Sequence, residues 1–210
     1  MLTASEALQR LREGNRRFAS NESTASNDAS SPMRRAQLIE GQEPFAIVLG
    51  CSDSRVPAEL VFDQGFGDLF VIRVAGNIVA PSQVGSVEFA ASRFGTRLVV
   101  VMGHTQCGAV MATLEEVLGR ATTPSKSLRF IVKRVRPSIE TMSSGRDLRD
   151  LGALMQDAVR ANVRASTAQL RRGSELLEEL IRNDGLVIVG AEYSLESGIV
   201  TFFDGAPDAG

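Results

Sequence analysis

One histidine and two cysteines are the residues of this chain whose types and spacing predict chemistry, and the chain has no others of either kind. His104 and Cys107 are three residues apart, whereas Cys51 lies far upstream. Two thiolates and an imidazole are ligands that zinc, a borderline-soft ion, prefers. Three protein ligands leave one position of a tetrahedral ion open, which is the arrangement of a catalytic zinc site. The three residues therefore predict a catalytic zinc centre.

Two apolar runs must position these residues. Residues 47–49 precede Gly50 and Cys51, and residues 99–102 precede Gly103 and His104. Continuous apolar runs of this length are typical of strands buried on both faces of a parallel sheet. Open α/β sheets place their sites just past the carboxyl ends of the strands. Cys51 and His104 are therefore expected at one edge of a sheet.

Plainer interpretations exist for the same residues. A free cysteine is often a small buried apolar residue, and a lone histidine is usually a hydrogen-bonded core residue. A Cys/His nucleophilic pair is a further alternative, but it gives the second cysteine no role. The sequence contains no G-x-S-x-G, H-E-x-x-H or G-x-x-x-x-G-K-[ST] motif, so the usual serine, metalloprotease and phosphate-binding signatures are absent.

Asp53 and Arg55 flank the first predicted ligand. They could form a surface ion pair, which contributes little to stability. They could instead assist the metal centre without binding the metal. Asp53 would then orient a zinc-bound hydroxide, and Arg55 would hold Asp53 in place. Two anionic ligands acidify a bound water less than three histidines do, so we expect activity to shift towards alkaline pH.

Composition bounds the rest of the chain. It is 43% hydrophobic and 23% charged, with a formal net charge of −2, which does not favour a nucleic-acid partner. The N-terminus carries no apolar signal segment, and no run approaches the ~18 apolar residues of a membrane span. Two cysteines without a secretory signal are expected to be reduced thiols, which predicts a cytoplasmic location.

Periodicity predicts an α/β fold with a central, mostly parallel sheet flanked by helices. Residues 1–40 form a predicted N-terminal helical arm, with helices at 4–19 and 32–40 joined by a polar loop, and residues 41–210 form the zinc-binding catalytic domain. About four strands are expected to be parallel, and a fifth pairs antiparallel at the edge because its connection is too short for a crossover. The predicted strands are 45–50, 68–74, 97–102, 186–189 and 199–203. The predicted helices of the catalytic domain are 57–62, 82–94, 107–118, 128–139, 148–170 and 174–183.

Several motifs occur together in this chain. They are C-S-D-S-R-V-P at 51–57, R-V-A-G-N at 73–77, G-H-T-Q-C-G at 103–108, L-x-x-L-R-E-G-N-R-R-F at 8–18 and G-A-E-Y-S-L-E-S-G at 190–198. In this order they closely resemble the β-class carbonic anhydrases. The resemblance implies reversible hydration of CO2 to bicarbonate and a proton by hydroxide on zinc, with one zinc per subunit. The implied ligands are Cys51, His104 and Cys107, and the catalytic pair is Asp53 and Arg55.

The same resemblance implies further roles. Gln42 matches a substrate-binding glutamine that often acts across a subunit interface, Phe70 and Phe89 match apolar pocket positions, and Gly108 would bring a backbone N–H close to substrate. The family assembles as homodimers, often paired into homotetramers, and its N-terminal arm wraps the neighbouring subunit. The apolar face of the helix at 4–19 is thin, so this helix should dock on its own body or on a partner.

Three further expectations concern regulation and proton transfer. Arg73 and Tyr193 match two residues of a bicarbonate site found in some members, but Val48 stands where those members have tryptophan, so we expect weak or no cooperative inhibition by bicarbonate. Asp53 is expected to bind zinc directly at low pH and to release it at high pH. Because the single histidine is a metal ligand, proton export should depend on water, buffer or other groups.

Two other functions are compatible with the same ligands. A related zinc hydrolase acting on CS2 or COS would use the same attack on a linear triatomic molecule, and pocket access would distinguish it. A non-catalytic zinc-binding regulatory protein is the alternative from a different class. The Asp53–Arg55 pair argues against that alternative, because a structural zinc site has no need of it.

Overall fold

A computed structural model describes residues 2–23, 31–123, 125–143 and 151–206. Five strands form one sheet: β1 (Ala46–Gly50), β2 (Leu69–Arg73), β3 (Leu98–His104), β4 (Val187–Tyr193) and β5 (Val200–Asp204). The helices are α1 (Ala4–Ala19), α2 (Pro32–Gln37), α3 (Ala58–Val61), α4 (Pro81–Arg93), α5 (Gly108–Val117), α6 (Lys126–Ser143), α7 (Leu151–Arg172) and α8 (Glu175–Asn183). A 3₁₀ turn at Ala75–Asn77 follows β2. None of the helices in these ranges has the length and apolar character needed to cross a membrane.

The sheet has the strand order β2-β1-β3-β4-β5. The first four strands are parallel, and β5 pairs antiparallel with β4. All residues of β1 and β3 are buried, because helices cover both faces of the sheet. The predicted architecture is therefore confirmed, including the antiparallel edge strand.

Alternating side chains of the central strands form two apolar cores. Val48 and Val100 belong to a cluster with residues of α1, α3, α5 and α6. Their neighbours Ile47 and Val99 belong to a second cluster with residues of α4, α7 and α8. Because successive side chains of a strand point to opposite faces, this division shows that β1 and β3 lie between two helical layers and are held on both sides.

Helix α1 packs on the body of its own chain. Thr3 and Glu6 form a capping box at its start, and Leu8 and Leu11 are fully buried in the first core. A Cβ atom on Gly14 would lie 1.9 Å from the carbonyl oxygen of Phe62, so the helix approaches α3 at a distance that only glycine permits. The sequence left open whether this helix docks on its own chain or on a partner, and the structure shows it packed on its own chain. The division at residue 40 and the contact of the arm with a partner stay predictions.

The largest difference from the predicted elements is the length of β4, which runs to Tyr193 rather than ending at residue 189. The added residues include Gly190 and Glu192, which favour loops by composition. They nevertheless pair in register with β3, with Tyr193 opposite His104. The charge of Glu192 is buried because Arg160 of α7 donates to it at 2.7 Å, and this long-range pairing could not be inferred from local sequence.

Smaller differences affect element ends. Helix α2 ends at Gln37 rather than at residue 40, β3 continues to His104, and α6 extends the predicted helix 128–139 at both ends. The start of the predicted helix 148–170, most of the predicted loop 20–31 and most of the predicted turn at 143–145 lie outside the described residues. These differences do not change the order of elements.

Helix α7 is seated on the sheet by two glycines. A Cβ atom on Gly103 would lie 2.6 Å from Val163 Cγ2, and one on Gly190 would lie 2.8 Å from Val163 Cγ1. Carbon–carbon contacts below about 3 Å do not occur between real side chains. Val163 therefore fits only because positions 103 and 190 of β3 and β4 are glycines. The position of α7 relative to the end of β3 is therefore fixed closely.

Asn15 generates a stability prediction. Its side chain donates to the carbonyl oxygens of Val61 and Gly198 and accepts from the N–H of Val200, so it joins α1 to α3 and β5. Asn15→Ala leaves two buried backbone groups and the part-buried carbonyl of Gly198 without these partners, and we expect a loss of about 3 kcal/mol in the free energy of unfolding, at about 1 kcal/mol for each group. Urea unfolding at fixed protein concentration measures this.

Gln9→Ala is the matched control, because Gln9 is exposed on the same helix and bonds only to Glu13. We expect this control to change the free energy of unfolding by less than about 0.5 kcal/mol. Equal effects of the two substitutions would contradict the role given to Asn15.

Candidate metal centre and active site

The three predicted ligands meet in the structure. Cys51 follows β1, His104 ends β3, and Cys107 is the N-cap residue of α5. Their ligating atoms all lie within 4.8 Å of one another, and all three residues are buried. The two sulfur atoms are 3.9 Å apart. A tetrahedral zinc ion with Zn–S distances of about 2.3 Å places two sulfur ligands about 3.8 Å apart, so the pair has the spacing that zinc requires.

The imidazole of His104 is oriented as a metal ligand. Its Nδ1 lies 2.9 Å from the carbonyl oxygen of Thr105, which can only accept, so Nδ1 carries the proton. The Nε2 atom is therefore the ring atom with a lone pair. It is buried and has no hydrogen-bond partner among the described residues. Buried polar atoms are almost always satisfied, and a metal ion would satisfy this one.

The two thiols perturb each other strongly. The hydrogen bond from Cys107 lowers the pKa of Cys51 well below its usual range, and the N–H of Gly76 acts in the same direction. The hydrogen bond to Cys51 raises the pKa of Cys107, and burial adds to this, although the N–H groups of Val110 and Ala109 oppose it. One thiolate thus forms readily, and a second needs a cation beside it. This donor set fits zinc.

Asp53 and Arg55 form a bidentate ion pair beside the ligands. The Arg55 side chain donates to both carboxylate oxygens of Asp53, at 2.9 and 2.8 Å. These bonds hold the pKa of Asp53 far below its usual range, so the carboxylate is ionised at neutral pH. Arg55 also donates to the carbonyl oxygen of Gln106 at 3.4 Å, which ties the Cys51 loop to the loop between His104 and Cys107.

The carboxylate of Asp53 faces the metal centre. Its Oδ2 lies 3.9 Å from Nε2 of His104, close enough to receive a hydrogen bond from a group held between the ligands. In this structure Asp53 is paired with Arg55, which corresponds to the open arrangement. Direct binding of zinc by Asp53 at low pH stays a prediction, which crystal structures at mildly acidic and at alkaline pH would test.

Arg73 holds the loop that carries Cys51 and Asp53. It donates to the carbonyl oxygens of Cys51 at 3.0 Å and of Asp53 at 2.6 Å. The sequence singled it out only through a bicarbonate site. Tyr193 is buried beside Phe18, and Val48 is buried in the middle of β1. Weak or absent cooperative inhibition by bicarbonate stays a prediction, and the engagement of Arg73 with this loop favours it.

The predicted substrate residues do not converge on the metal ligands within one chain. Gln42 precedes β1, and Phe70 pairs with Ile47 near the amino end of that strand. Cys51 lies four residues beyond Ile47, about 13 Å along the strand at 3.3 Å per residue. Phe89 packs against Phe70 and is 54% exposed. These three side chains therefore lie at the opposite edge of the sheet.

Gly108 does lie at the site. It is the first residue of α5, directly after Cys107, and a Cβ atom there would meet no other atom within 4 Å. It borders a mostly apolar cavity of about 330 Å³. The other side chains that line this cavity include Ala75, Ala109, Ala112, Ile131 and Val132.

Sequence reasoning gave no role to two buried polar residues near the centre, Asn162 and Ser166 of α7. Both donate to the 3₁₀ turn at Ala75–Asn77, and that turn contacts Cys51. The R-V-A-G-N motif marked the turn, but nothing in the sequence near residue 162 indicated its partner. Such partners lie far apart in sequence and are found only in the fold.

Comparisons with known proteins agree with this centre. Residues 46–200 match the carbonic anhydrase family model. Carbonic anhydrase 2 of Mycobacterium tuberculosis is 38% identical over 192 residues, which cover 91% of this chain and 89% of that protein. The carbonic anhydrase of Mycolicibacterium smegmatis is 39% identical over 195 residues, which cover 92% of this chain and 90% of that protein.

A solved structure supports the same assignment. The β-carbonic anhydrase CafA of Aspergillus fumigatus superposes with a TM-score of 0.75 at 25% identity, covering 97% of this chain and 92% of that one. The fold, the three metal ligands and the match over most of the chain agree with one another. This chain belongs to the β-class carbonic anhydrases.

Proposed function

We propose that this chain catalyses the reversible hydration of CO2 to bicarbonate and a proton, with zinc held by Cys51, His104 and Cys107. One observation carries the proposal: Nε2 of His104, which is buried and has no hydrogen-bond partner in the part of the chain that the structure describes, lies beside two thiols and next to the ionised Asp53–Arg55 pair. A structural zinc site closes all four positions with protein ligands. Here the fourth position faces a hydrogen-bond acceptor instead.

The residues around this position have distinct tasks. Zinc, when bound, supplies a Lewis acid that activates a water molecule as the nucleophile. Asp53 would accept a hydrogen bond from that water and would so orient its lone pair towards substrate. Arg55 keeps the carboxylate ionised and fixed, because it donates to both oxygens. Asp53 therefore acts by positioning and is not a base that titrates at neutral pH.

The space beside Gly108 suits a small apolar substrate. The cavity next to Gly108 is mostly apolar, which favours CO2 over water. The N–H of Gly108 is one of the first N–H groups of α5 and has no partner within the helix. It can donate to a substrate oxygen, and the N-terminus of α5 favours the negative charge that develops there.

We further propose that the chain forms a homodimer or a homotetramer, in which Gln42, Phe70 and Phe89 serve the site of the partner. Two features support it: these residues lie away from the ligands of their own chain, and several large apolar side chains of the chain are exposed. The exposed side chains are Met33, Ile39, Leu60, Phe66 and Phe89. The two reduced thiols agree with a cytoplasmic location, which we also propose.

The first prediction from the proposed function concerns the zinc ligands. Cys107→Ala removes one of three protein ligands, and we expect zinc to bind about 100-fold more weakly, since each ligand supplies a share of about 3 kcal/mol. Competition with a chromophoric chelator measures the affinity. Thr113→Ala is the control, because Thr113 is buried in the same helix and, among the described residues, its hydroxyl bonds only to the carbonyl oxygen of Ala109. Unchanged zinc affinity in Cys107→Ala would refute the site.

A second prediction separates positioning from ligation. Asp53→Asn keeps the shape of the side chain but loses its charge, and we expect kcat for CO2 hydration to fall about 100-fold with zinc retained. Stopped-flow hydration and metal analysis measure both. Asp184→Asn is the matched control, because Asp184 pairs with Arg97 away from the centre. Loss of zinc from Asp53→Asn would instead identify Asp53 as a ligand.

A third prediction concerns proton export. Because the only histidine is a zinc ligand, no free imidazole carries the proton away. We expect turnover to rise and then saturate as the concentration of an imidazole buffer increases at constant pH and ionic strength. Stopped-flow measurements against a series with inert salt provide the comparison. Turnover that is independent of buffer, with proton transfer shown to limit the rate, would contradict this.

A further inference from the structure

The 3₁₀ turn at Ala75–Asn77 touches the metal centre through a backbone N–H. Gly76 donates this N–H to the sulfur of Cys51 at 3.3 Å. Gly76 has φ = 70°, and a Cβ atom on it would lie 3.1 Å from the Cβ of Ala109. Both the left-handed backbone and the close approach favour glycine. The turn is thus shaped to bring one peptide against the thiolate.

The turn is held from outside by helix α7. Asn162 Nδ2 donates to the carbonyl oxygen of Gly76 at 2.8 Å, and Ser166 Oγ donates to that of Asn77 at 3.1 Å. Asn162 and Ser166 are only 2% and 4% exposed. They lie one helical turn apart and so share a face of α7. Gly76 therefore donates its N–H to Cys51 and accepts a hydrogen bond from Asn162 at its carbonyl oxygen.

The position of Asn162 is fixed by its neighbour in sequence. Val163 fits between Gly103 and Gly190 with no space for a side chain on either. Gly103 directly precedes the ligand His104 in β3. The amide of Asn162 is therefore placed relative to the same strand that places His104, and Gly76 is placed through it.

From these contacts we infer that Asn162 is a positioning residue for the metal centre, which aims the N–H of Gly76 at the Cys51 sulfur and so limits the negative charge that this sulfur gives to the metal. A hydrogen bond to an ionised acceptor is strong and withdraws electron density from it. Two thiolates make a metal ion less acidic than neutral ligands do, and this bond offsets part of that effect. The inference rests on the zinc site of the proposed function.

Cobalt substitution tests the inference without relying on activity. The full-length protein is loaded with Co²⁺, and the sulfur-to-cobalt charge-transfer band is recorded for wild type, Asn162→Ala and Asn162→Asp. The aspartate variant keeps the size of the side chain and removes the amide donor. A sulfur with more electron density is easier to oxidise, so we expect the band to move to longer wavelength in both variants. We also expect zinc affinity to fall about 10-fold, because the Cys51 sulfur is held less firmly in position for the metal.

Ser166→Ala is the matched control, since Ser166 is equally buried, lies on the same face of α7 and donates to the same turn one residue later. We expect this variant to lower the melting temperature and to leave the charge-transfer band in place. Asn162 variants that are destabilised but keep the wild-type band would show that Asn162 only supports packing. An equal shift in Ser166→Ala would likewise overturn the assignment to Asn162.

A measurement on the wild-type protein tests the inference even if the variants fail to fold. With ¹¹³Cd bound, the hydrogen bond predicts a scalar coupling between cadmium and the amide proton of Gly76 through the Cys51 sulfur. Absence of that coupling would overturn the inference. Failure of the zinc site on which the inference rests is distinguishable, because wild-type protein would then show no sulfur-to-cobalt band at all, whereas failure of the inference leaves that band present and insensitive to Asn162.

Discussion

Two sulfur atoms 3.9 Å apart in a buried site impose the constraint on which the rest of the structure depends. One of the thiols ionises readily, but a second negative charge at this distance is tolerable only next to a cation. The fold has to supply that cation with a third ligand, His104, and to keep the surrounding polar groups paired. Parallel pairing of β1 with β3 brings the two strand ends together, and the N-terminus of α5 adds the second sulfur at the same point.

Positive groups surround these sulfurs in several directions. Arg73 holds the backbone of the Cys51 loop, and Arg55 lies on the far side of Asp53. The N–H groups at the start of α5 face Cys107, and that of Gly76 faces Cys51. Each of these donors already has an acceptor in this structure. The centre is therefore preorganised by backbone geometry as much as by side chains.

Much of this arrangement could be predicted from the sequence, and the reason is physical. Cys51 and His104 each follow an apolar run, and the carboxyl ends of parallel strands meet at one edge, so local patterns were sufficient to bring them together. The full length of β4 could not be predicted, because Gly190 and Glu192 are placed by Val163 and Arg160, which lie in another element. Asn162 was missed for the same reason. Gln42, Phe70 and Phe89 mark a second limit, since the role proposed for them requires a partner subunit that one chain does not show.

The packing of Val163 between Gly103 and Gly190, which have no side chains, limits which substitutions this sequence can accept. A methyl group at Gly103 or Gly190 would occupy space already filled by the isopropyl group of Val163. The three positions therefore form one steric unit, in which an enlargement at one is admissible only with a compensating reduction at another. A larger residue at one of these positions alone would move α7 away from the sheet. Because Asn162 of α7 holds Gly76, and Gly76 donates to Cys51, that movement would change the surroundings of the Cys51 sulfur.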